Sequence, residues 1–354
     1  MKVLITGAEG FVGRYAQAAM PCVPLSREVD PRDCKSLTDK FCEFNPDTVL
    51  HMAAQSYVPT SFENSRETFD INFIETLNLL EALNYSGFRA RMLFICSGDT
   101  YGQVPEAALP VCEDQPLRPR NPYAVNKVAA EALCYQWSQT SDFEIIMVRH
   151  FNHIAPGQSP RFAIADCARQ VTQIRLGRRA PVLQVGDIDV TRDFIDVRDV
   201  VHAYLLLLEQ GQNGGIYNVC LGREYRVPDL LEQLFTLAGI QVRIEQDPAR
   251  LRRVEQRRMV ASFDALQRDT GGSRKFPWNR AFKTYSTIGR NHCNEQACLH
   301  HRYHRPGRRL SGQTSAGKKL RSLRPHRPSR DRHHKPFAET RHRQAGAFVG
   351  WRPD

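Results

Sequence analysis

The sequence lacks any long apolar run. Of its 354 residues 41% are hydrophobic, yet no stretch approaches the roughly 20 apolar residues that a membrane-spanning helix needs. The N-terminus carries one lysine and then only Val3, Leu4 and Ile5 before a small-residue turn. We therefore expect neither a secretory signal peptide nor membrane association. The length and apolar content still suffice for one or two globular cores.

Closely spaced cysteine pairs are also missing. The 10 cysteines include no C-x-x-C arrangement, and Cys96 and Cys220 fall in apolar, strand-like segments. This pattern favours reduced thiols over a disulfide framework. We therefore expect a cytoplasmic protein, and we predict no bound metal.

Acidic residues are scarce only at the C-terminal end. Residues 272–354 hold 20 Lys and Arg, 4 Asp and Glu and 8 of the 12 histidines, so this basic tail has a formal charge of +16. The rest of the chain carries −5, although the whole chain carries +11. Nucleic-acid binding is therefore an alternative function for the basic tail alone, and we expect none for the body. The tail has no helical or alternating apolar period, which predicts disorder.

The body contains apolar strands that alternate with helical segments. Strand-like runs lie at 2–6, 22–26, 47–54, 91–97 and 144–152, and helical patterns lie at 12–20, 68–87 and 121–137. Continuous apolar strands with intervening helices predict an α/β fold with a doubly wound parallel sheet that is covered on both faces.

The first strand leads into the segment TGAEGFVG, where Gly7, Gly10 and Gly13 stand three residues apart. Glycines at this spacing between a strand and a helix form a tight turn that lets a pyrophosphate approach the free N–H groups of the helix start. Glycines alone also fit a simple turn. The alternation of strands and helices that follows favours a dinucleotide cradle.

The second strand ends in LSREVD, where the adenosine ribose of a dinucleotide is recognised. A carboxylate there binds the ribose hydroxyls, whereas an arginine pairs with a 2′-phosphate. Ser26 and Arg27 come first and Asp30 follows three residues later. We therefore predict NADPH as the cofactor, with NADH as the alternative; Arg27 as an ordinary solvated loop residue is the competing interpretation.

Three side chains in the middle of the chain predict acid–base chemistry. Tyr123 and Lys127 are four residues apart on a predicted helix and so share one face. A lysine ammonium beside a tyrosine, together with an oxidised nicotinamide, would stabilise the phenolate and lower its pKa. The same lysine can hold the cofactor ribose. Ser97 ends a strand and can orient the substrate oxygen.

These motifs together resemble the extended short-chain dehydrogenases/reductases that act on nucleotide sugars. The matching segments run from residue 3 to about residue 258 and are TGAEGFVG, HMAAQS, IN, CSGDTYG, YAVNK, RHFNHIAPGQ, TRDFIDVRDVVHAY, YNVC and LRRVEQRR. The resemblance implies a Rossmann cofactor domain over 1–150 with return segments at about 187–205. It also implies a smaller nucleotide-sugar domain over 151–271, and we expect a homodimer.

The predicted cofactor contacts follow from these motifs. They are Gly7, Gly10, Phe11, Val12, Gly13, Arg27, Asp30, Ala53, Ala54, Gln55, Asn72, Tyr123 and Lys127. The resemblance implies a supporting structural role for Asn72. It also marks a departure at Glu75, since relatives usually have glycine at this position.

Within the family, the segments FNHIAPGQS and GDIDVTRDFIDVRDV resemble the GDP-sugar branch. The resemblance implies that the GDP part is held by Asn152, Arg192, Arg252 and Glu255. Guanidinium groups suit a diphosphate and a carboxylate suits ribose hydroxyls, which agrees with this assignment. The activity that we expect is NAD(P)H-dependent reduction of the C4 ketone of GDP-4-keto-6-deoxy-D-mannose to GDP-6-deoxy-D-mannose, also called GDP-D-rhamnose.

Other activities remain open. A GDP-mannose 4,6-dehydratase needs a further acid–base carboxylate, and relatives of that kind carry glutamate two residues after the Ser/Thr. Asp99 occupies that position here with a side chain one methylene shorter, so we include it among the catalytic candidates but predict a reductase. A nucleotide-sugar 4-epimerase is a further alternative. A non-catalytic sugar-nucleotide binding protein is disfavoured because Ser97, Tyr123 and Lys127 are all present.

The family pattern ends abruptly at DTGG, residues 269–272. Relatives continue with TGW, a proline and a final amphipathic helix, whereas this chain continues into sequence rich in Arg, His and Cys. Such a switch resembles translation in a shifted reading frame. We therefore expect the last helix of the substrate domain to be absent.

Overall fold

The computed structural model describes residues 2–26, 28–251 and 256–272. Predictions for the basic tail beyond Gly272 lie outside these residues. The strands are β1 (Val3–Thr6), β2 (Cys22–Pro24), β3 (Thr48–His51), β4 (Arg91–Ile95), β5 (Glu144–His150), β6 (Asn152–Ile154), β7 (Val182–Val185), β8 (Thr191–Asp196), β9 (Ile216–Val219), β10 (Glu224–Arg226) and β11 (Arg243–Gln246).

The α-helices alternate with the strands along the chain. They are α1 (Phe11–Ala19), α2 (Cys34–Phe44), α3 (Val58–Glu63), α4 (Ser65–Phe69), α5 (Glu75–Tyr85), α6 (Pro122–Thr140), α7 (Ala163–Arg175), α8 (Val197–Gln210), α9 (Val227–Ala238) and α10 (Asp264–Thr270). The sequence did not reveal α2. Its start is capped by the Asp33 carboxylate, which accepts the backbone N–H groups of Lys35 and Ser36.

The predicted doubly wound parallel sheet is confirmed. Six strands pair in the order β2-β1-β3-β4-β5-β9, and every pair is parallel. Side chains of α1, α8 and α10 pack on one face of this sheet, and side chains of α2, α5 and α6 pack on the other. Burial on both faces explains why β1, β3 and β5 are apolar throughout their centres. All the carboxyl ends of the strands therefore meet at one edge of the sheet.

The predicted helix over 68–87 is wrong in one detail. Residues Asp70–Ile74 form a π-helical turn between α4 and α5, and the Glu75 N–H bonds the carbonyl of Asp70 five residues back. This wider turn places Asn72, which is 1% exposed, inside the fold. Its side chain forms hydrogen bonds with the loop after β3. The distortion of the helix therefore accompanies a tertiary contact, which helical periodicity cannot predict.

Smaller sheets lie after the main run of strands. Strands β10, β8 and β6 form a three-stranded mixed sheet, and β11 pairs with β7. A separate apolar cluster joins them to α7 and α9. Strand β9 nevertheless returns to the six-stranded sheet beside β5. The domain boundaries expected from the sequence stay a prediction.

Two expectations about the chain's surroundings concern features visible in the fold. Within the described ranges no helix combines the length and the apolar character that a membrane crossing demands. The cysteines described in the fold, eight in number, are free thiols.

Candidate active site

The glycine-rich turn after β1 is shaped by close backbone contacts. Gly7 has φ +70°, and a Cβ at this residue would lie 2.8 Å from the backbone nitrogen of Ala53. A Cβ at Gly13 would lie 2.4 Å from the carbonyl oxygen of Gly7. Gly10 immediately precedes α1 and donates its N–H to that same carbonyl at 3.0 Å. Any side chain at Gly7 or Gly13 would therefore displace backbone atoms.

The start of α1 has the features of an anion site. Among the described residues no side chain caps this nine-residue helix, whose first N–H groups carry the positive end of the helix dipole. Phe11 stacks on His153 with the ring centroids 5.7 Å apart. Arg14 and Tyr15 donate to the carbonyls of Gly157 and Pro156, both at 2.9 Å. The loop after β6 is thus fastened beside the helix start, and the cradle fits a dinucleotide pyrophosphate.

A buried polar network lies beneath this cradle. His51 Nδ1 is 2.7 Å from the Thr6 hydroxyl, and its Nε2 is 3.0 Å from the Thr76 hydroxyl. Thr76 donates its own proton to the Asn72 carbonyl, so Nε2 must be the protonated nitrogen of the imidazole. Burial and the nearby Lys127 lower the pKa of His51 to about 3, which keeps the ring neutral. Sequence reasoning missed this network because its members are distant along the chain.

The segment after β3 is held by the same network. The Ala53 N–H donates to the Thr6 hydroxyl at 3.1 Å. Asn72 accepts the Gln55 N–H at 2.9 Å and donates to the Gln55 carbonyl at 3.1 Å. Ala54 lies between these two anchored residues. The predicted cofactor residues Ala53, Ala54, Gln55 and Asn72 are therefore brought together beside the glycine turn, and the supporting contact of Asn72 is to backbone.

The loop after β2 carries the remaining cofactor candidates. Asp30 accepts two hydrogen bonds from the Arg32 guanidinium, at 2.9 and 2.8 Å, which lower the pKa of the carboxyl. This pair occupies both carboxylate oxygens of Asp30. Ser26 accepts the Glu28 N–H at 3.2 Å. Arg27 lies outside the described residues.

The three predicted catalytic residues are all buried at the carboxyl edge of the sheet. Ser97 follows β4 and is 6% exposed, while Tyr123 and Lys127 on α6 are each 4% exposed. The Lys127 ammonium donates to the Ile95 carbonyl at 2.8 Å and lies 5.0 Å from the centre of the Phe94 ring. The lysine is thereby fixed between α6 and the end of β4.

The electrostatics of Tyr123 differ from the sequence-based expectation. Burial, followed by the charge of Asp99, raises the pKa of the phenol, and a hydrogen bond with the Ser97 hydroxyl acts in the opposite direction. Burial lowers the pKa of Lys127. The chain's own groups therefore keep Tyr123 protonated near neutral pH, which is the form of a proton donor.

Asp99 lies at the entrance to this cluster. It is exposed within a short 3₁₀ turn over Gly98–Tyr101, and its N–H donates to the Ser97 hydroxyl at 3.2 Å. Gly98 allows this turn to pack on Phe151, because a Cβ there would lie 3.0 Å from the Phe151 ring.

A buried ion pair supports the catalytic helix. Arg149 on β5 donates to both oxygens of Glu131 on α6 at 2.9 and 2.6 Å, and both side chains are at most 5% exposed. Arg149 also donates to the Tyr101 hydroxyl at 2.9 Å, and Tyr101 donates to Asn218 on β9 at 2.7 Å. One arginine thus joins β5, α6 and the turn that follows Ser97. No motif or periodicity in the sequence predicts this pairing.

The loop at the end of β5 adds two histidines to the site. The rings of His150 and His153 lie 4.8 Å apart, edge to face, and both Nδ1 atoms approach the Phe151 carbonyl. Burial first, and then His153, lowers the pKa of His150 to about 3. His153 thus contacts Phe11 at the start of α1, and His150 lies close enough to Lys127 for the lysine charge to lower its pKa further.

The predicted substrate residues are described only in part. Asn152 on β6 is exposed and pairs in register with Phe194 of β8, two residues from Arg192. Arg192 donates to the Thr191 carbonyl at 2.7 Å. The three-stranded sheet therefore places Asn152 and Arg192 on neighbouring strands. Arg252 and Glu255 lie outside the described residues.

Comparison with known proteins decides the family. Residues 26–276 match the family model described as GDP-mannose 4,6 dehydratase. The chain is 47% identical over 277 residues to the GDP-6-deoxy-D-mannose reductase of Pseudomonas aeruginosa, covering 76% of this chain and 91% of the relative. The chain belongs to the extended short-chain dehydrogenases/reductases of nucleotide-sugar metabolism. It is accordingly an NAD(P)-dependent oxidoreductase of the short-chain dehydrogenase/reductase type.

Solved structures of this family share the fold. The structure of RMD from Pseudomonas aeruginosa complexed with NADPH superposes with a TM-score of 0.77 at 43% identity, covering 81% of this chain and 98% of that one. A UDP-glucose 4-epimerase of Thermus thermophilus with NAD gives a TM-score of 0.72 at 28% identity, with coverages of 82% and 99%. A GDP-mannose 4,6 dehydratase of Dictyostelium discoideum is 30% identical over 208 residues, covering 58% of this chain and 57% of that relative. Family members that resemble this chain therefore include reductases, dehydratases and epimerases.

Proposed function

We propose that the protein reduces the C4 ketone of GDP-4-keto-6-deoxy-D-mannose to GDP-6-deoxy-D-mannose. The observation that carries this proposal is the burial of Tyr123 beside Ser97, which raises the pKa of the phenol, at the sheet edge that also bears the glycine cradle. A ketone reduction consumes one hydride and one proton, and in this proposal Tyr123 supplies the proton. The similarity to the Pseudomonas reductase supports the same choice of substrate.

Each residue of the site has a defined task in this reaction. The dinucleotide, when bound in the glycine cradle, supplies the hydride. Ser97 hydrogen-bonds the C4 oxygen and orients the ketone, and Tyr123 transfers its phenolic proton to that oxygen as the alcohol forms. Lys127 stabilises the resulting phenolate with its charge and holds the cofactor ribose. Asn152 and Arg192, with Arg252 and Glu255, hold the GDP part, because guanidinium groups neutralise a diphosphate.

The dehydratase alternative requires more of the site. That reaction removes a proton from C5 and expels the C6 hydroxyl, so a second acid–base group must reach the sugar ring. Asp99 stands two residues after Ser97 and its charge raises the pKa of Tyr123, but it is exposed and its side chain is short. The reductase needs no such group, which favours the simpler reaction.

A two-substrate assay separates these activities. Purified protein is incubated with NADPH and either GDP-4-keto-6-deoxy-D-mannose or GDP-mannose, and absorbance and sugar products are followed. A reductase consumes NADPH only with the keto sugar. Conversion of GDP-mannose without net consumption of NADPH would establish the dehydratase instead, and C4 epimers of a nucleotide sugar would establish the epimerase.

We propose NADPH as the preferred dinucleotide, with Arg27 as the partner of the 2′-phosphate. Arg27→Ala should weaken NADPH binding by about five- to a hundredfold, because it removes a charge-assisted contact. NADH lacks this phosphate, so its dissociation constant should stay unchanged. Isothermal titration of both dinucleotides measures the two constants, and equal losses for both would contradict the assignment of Arg27.

We propose that the enzyme is a homodimer in the cytoplasm. A groove of about 820 Å³ between α4 and α6 is lined by exposed Phe69 and Val125, with Arg66 and Asp70 on its rim. Two copies related by a twofold axis could place each arginine near the partner's acidic rim. Val125→Glu should therefore convert a species of twice the chain mass into a monomer in sedimentation equilibrium. A wild-type protein that sediments as a monomer would contradict the dimer.

A further inference from the structure

Glu75 is a half-buried carboxylate that the proposed reaction does not use. It begins α5 directly after the π-helical turn. Neighbouring charges affect the pKa of its carboxyl, but no hydrogen bond from the described residues stabilises the carboxylate. A partly buried carboxylate without hydrogen bonds carries an unfavourable desolvation free energy. Its presence therefore needs an explanation, such as a bound ligand or a functional role.

Two neighbouring contacts define where Glu75 lies. Three residues before it, Asn72 bonds the backbone of Gln55 in the loop after β3. Three residues after it, Asn78 donates to the Pro31 carbonyl at 3.0 Å, in the loop after β2. Glu75 therefore lies between the loops that follow two adjacent parallel strands. We call the space between these two loops the cofactor cleft. In a doubly wound sheet the adenosine ribose of the dinucleotide is recognised beyond the end of the second strand, next to this cleft.

The charges around Glu75 come from both sides of the cleft. Burial is the largest influence and raises the pKa of its carboxyl to about 7. Arg32 on the loop after β2 lowers this pKa, whereas Asp30 on the same loop and Asp70 in the π-helical turn raise it. Glu75 therefore changes its charge near neutral pH, at the adenosine end of the cofactor cleft.

We propose that Glu75 sets the choice between the 2′-phosphorylated and the unphosphorylated dinucleotide, because its ionised form repels the phosphate and its protonated form does not. This inference rests on the proposed use of NAD(P)H. Like charges several ångströms apart in a partly desolvated cleft weaken binding severalfold. NADH carries no 2′-phosphate, so its affinity should be nearly insensitive to this charge. The chain should therefore favour NADPH most strongly on the acid side of neutrality.

The decisive experiment compares dinucleotide binding at pH 6 and pH 8 for the wild type, Glu75→Gln and Glu81→Gln. Dissociation constants for NADPH and NADH are measured by isothermal titration, without sugar substrate. From pH 6 to pH 8 the ratio of the NADPH constant to the NADH constant should rise about three- to tenfold more in the wild type than in Glu75→Gln. Ionisation of the 2′-phosphate itself affects all three proteins equally and cancels.

Glu81→Gln is the matched control. It removes the same charge from the same helix, six residues or about 9 Å further from the strand ends. Its ratio of dissociation constants should therefore change with pH as the wild-type ratio does. A Glu75→Gln variant with the pH dependence of the wild type would overturn the inference. If neither dinucleotide bound the wild type, the proposed function itself would fail, which is a separate outcome.

A stability measurement checks the titration independently. The folded-state pKa of Glu75 is raised above the unfolded value, so its contribution to stability is present below about pH 4.5 and is lost as the pH rises through about 7. Glu75→Gln should therefore gain stability relative to the wild type between pH 5 and pH 8 in denaturant unfolding. A pH-independent difference would show that Glu75 does not titrate there and would also overturn the inference.

Discussion

Tyr123→Phe should lower kcat for reduction of the keto sugar by about 10²- to 10⁴-fold, the usual contribution of a positioned general acid. The substitution removes only the hydroxyl from a side chain that is 4% exposed. The ring should therefore keep its packing, and NADPH should bind with nearly unchanged affinity. Steady-state kinetics with the keto sugar and a titration with NADPH measure these two quantities.

Tyr135→Phe is the matched control for this variant. Tyr135 lies on the same helix, α6, but is exposed, so removal of its hydroxyl should leave kcat unchanged. Near-normal turnover of Tyr123→Phe would contradict the assignment of the proton donor. Equal losses in both variants would show that α6 is sensitive to any change and that the effect is structural.

Arg149→Met should destabilise the fold by about 3–5 kcal/mol, because it leaves the Glu131 carboxylate buried without its partner. Both side chains of the pair are at most 5% exposed. The variant also deprives the Tyr101 hydroxyl of its guanidinium donor. Guanidinium-induced unfolding of wild type and variant gives the difference in free energy. Adding Glu131→Leu should recover part of the loss, since an apolar pair needs no charge partner.

Arg89→Met provides the comparison at an exposed ion pair. Arg89 pairs with Asp142 at 3.1 Å, with more than half of each side chain exposed. Such pairs contribute about 0–1 kcal/mol, so this variant should unfold close to the wild type. If Arg149→Met were no more damaging than Arg89→Met, the buried pair would not support the catalytic helix.

The elements that follow simple local rules were predictable. The glycine turn with φ +70° at Gly7 follows from the spacing of Gly7, Gly10 and Gly13. The apolar strands predicted the parallel sheet, since burial on both faces leaves no polar alternation. Tyr123 and Lys127 were predicted to share a helix face, and α6 carries both. Local periodicity and short motifs therefore identified both the fold and the candidate catalytic residues.

The supporting contacts were not predictable, because they join residues far apart in the chain. Thr6 and His51 are 45 residues apart, and Arg149 and Glu131 are 18 apart. No periodicity reports such pairs, and each depends on the final register of the sheet. The direction of the Tyr123 pKa shift was missed for a related reason, since burial outweighs nearby charges and burial follows from the whole fold.

The most direct test of the proposed reaction follows the hydride into the product. Wild-type protein is incubated with GDP-4-keto-6-deoxy-D-mannose and NADPH that carries deuterium at the transferable position, and the sugar is analysed by NMR and mass spectrometry. The proposed reaction gives GDP-6-deoxy-D-mannose with one deuterium, at C4, and no label or solvent exchange at C5. A product labelled elsewhere, or an unreacted keto sugar together with conversion of GDP-mannose, would contradict the proposal that this site is a C4 ketone reductase.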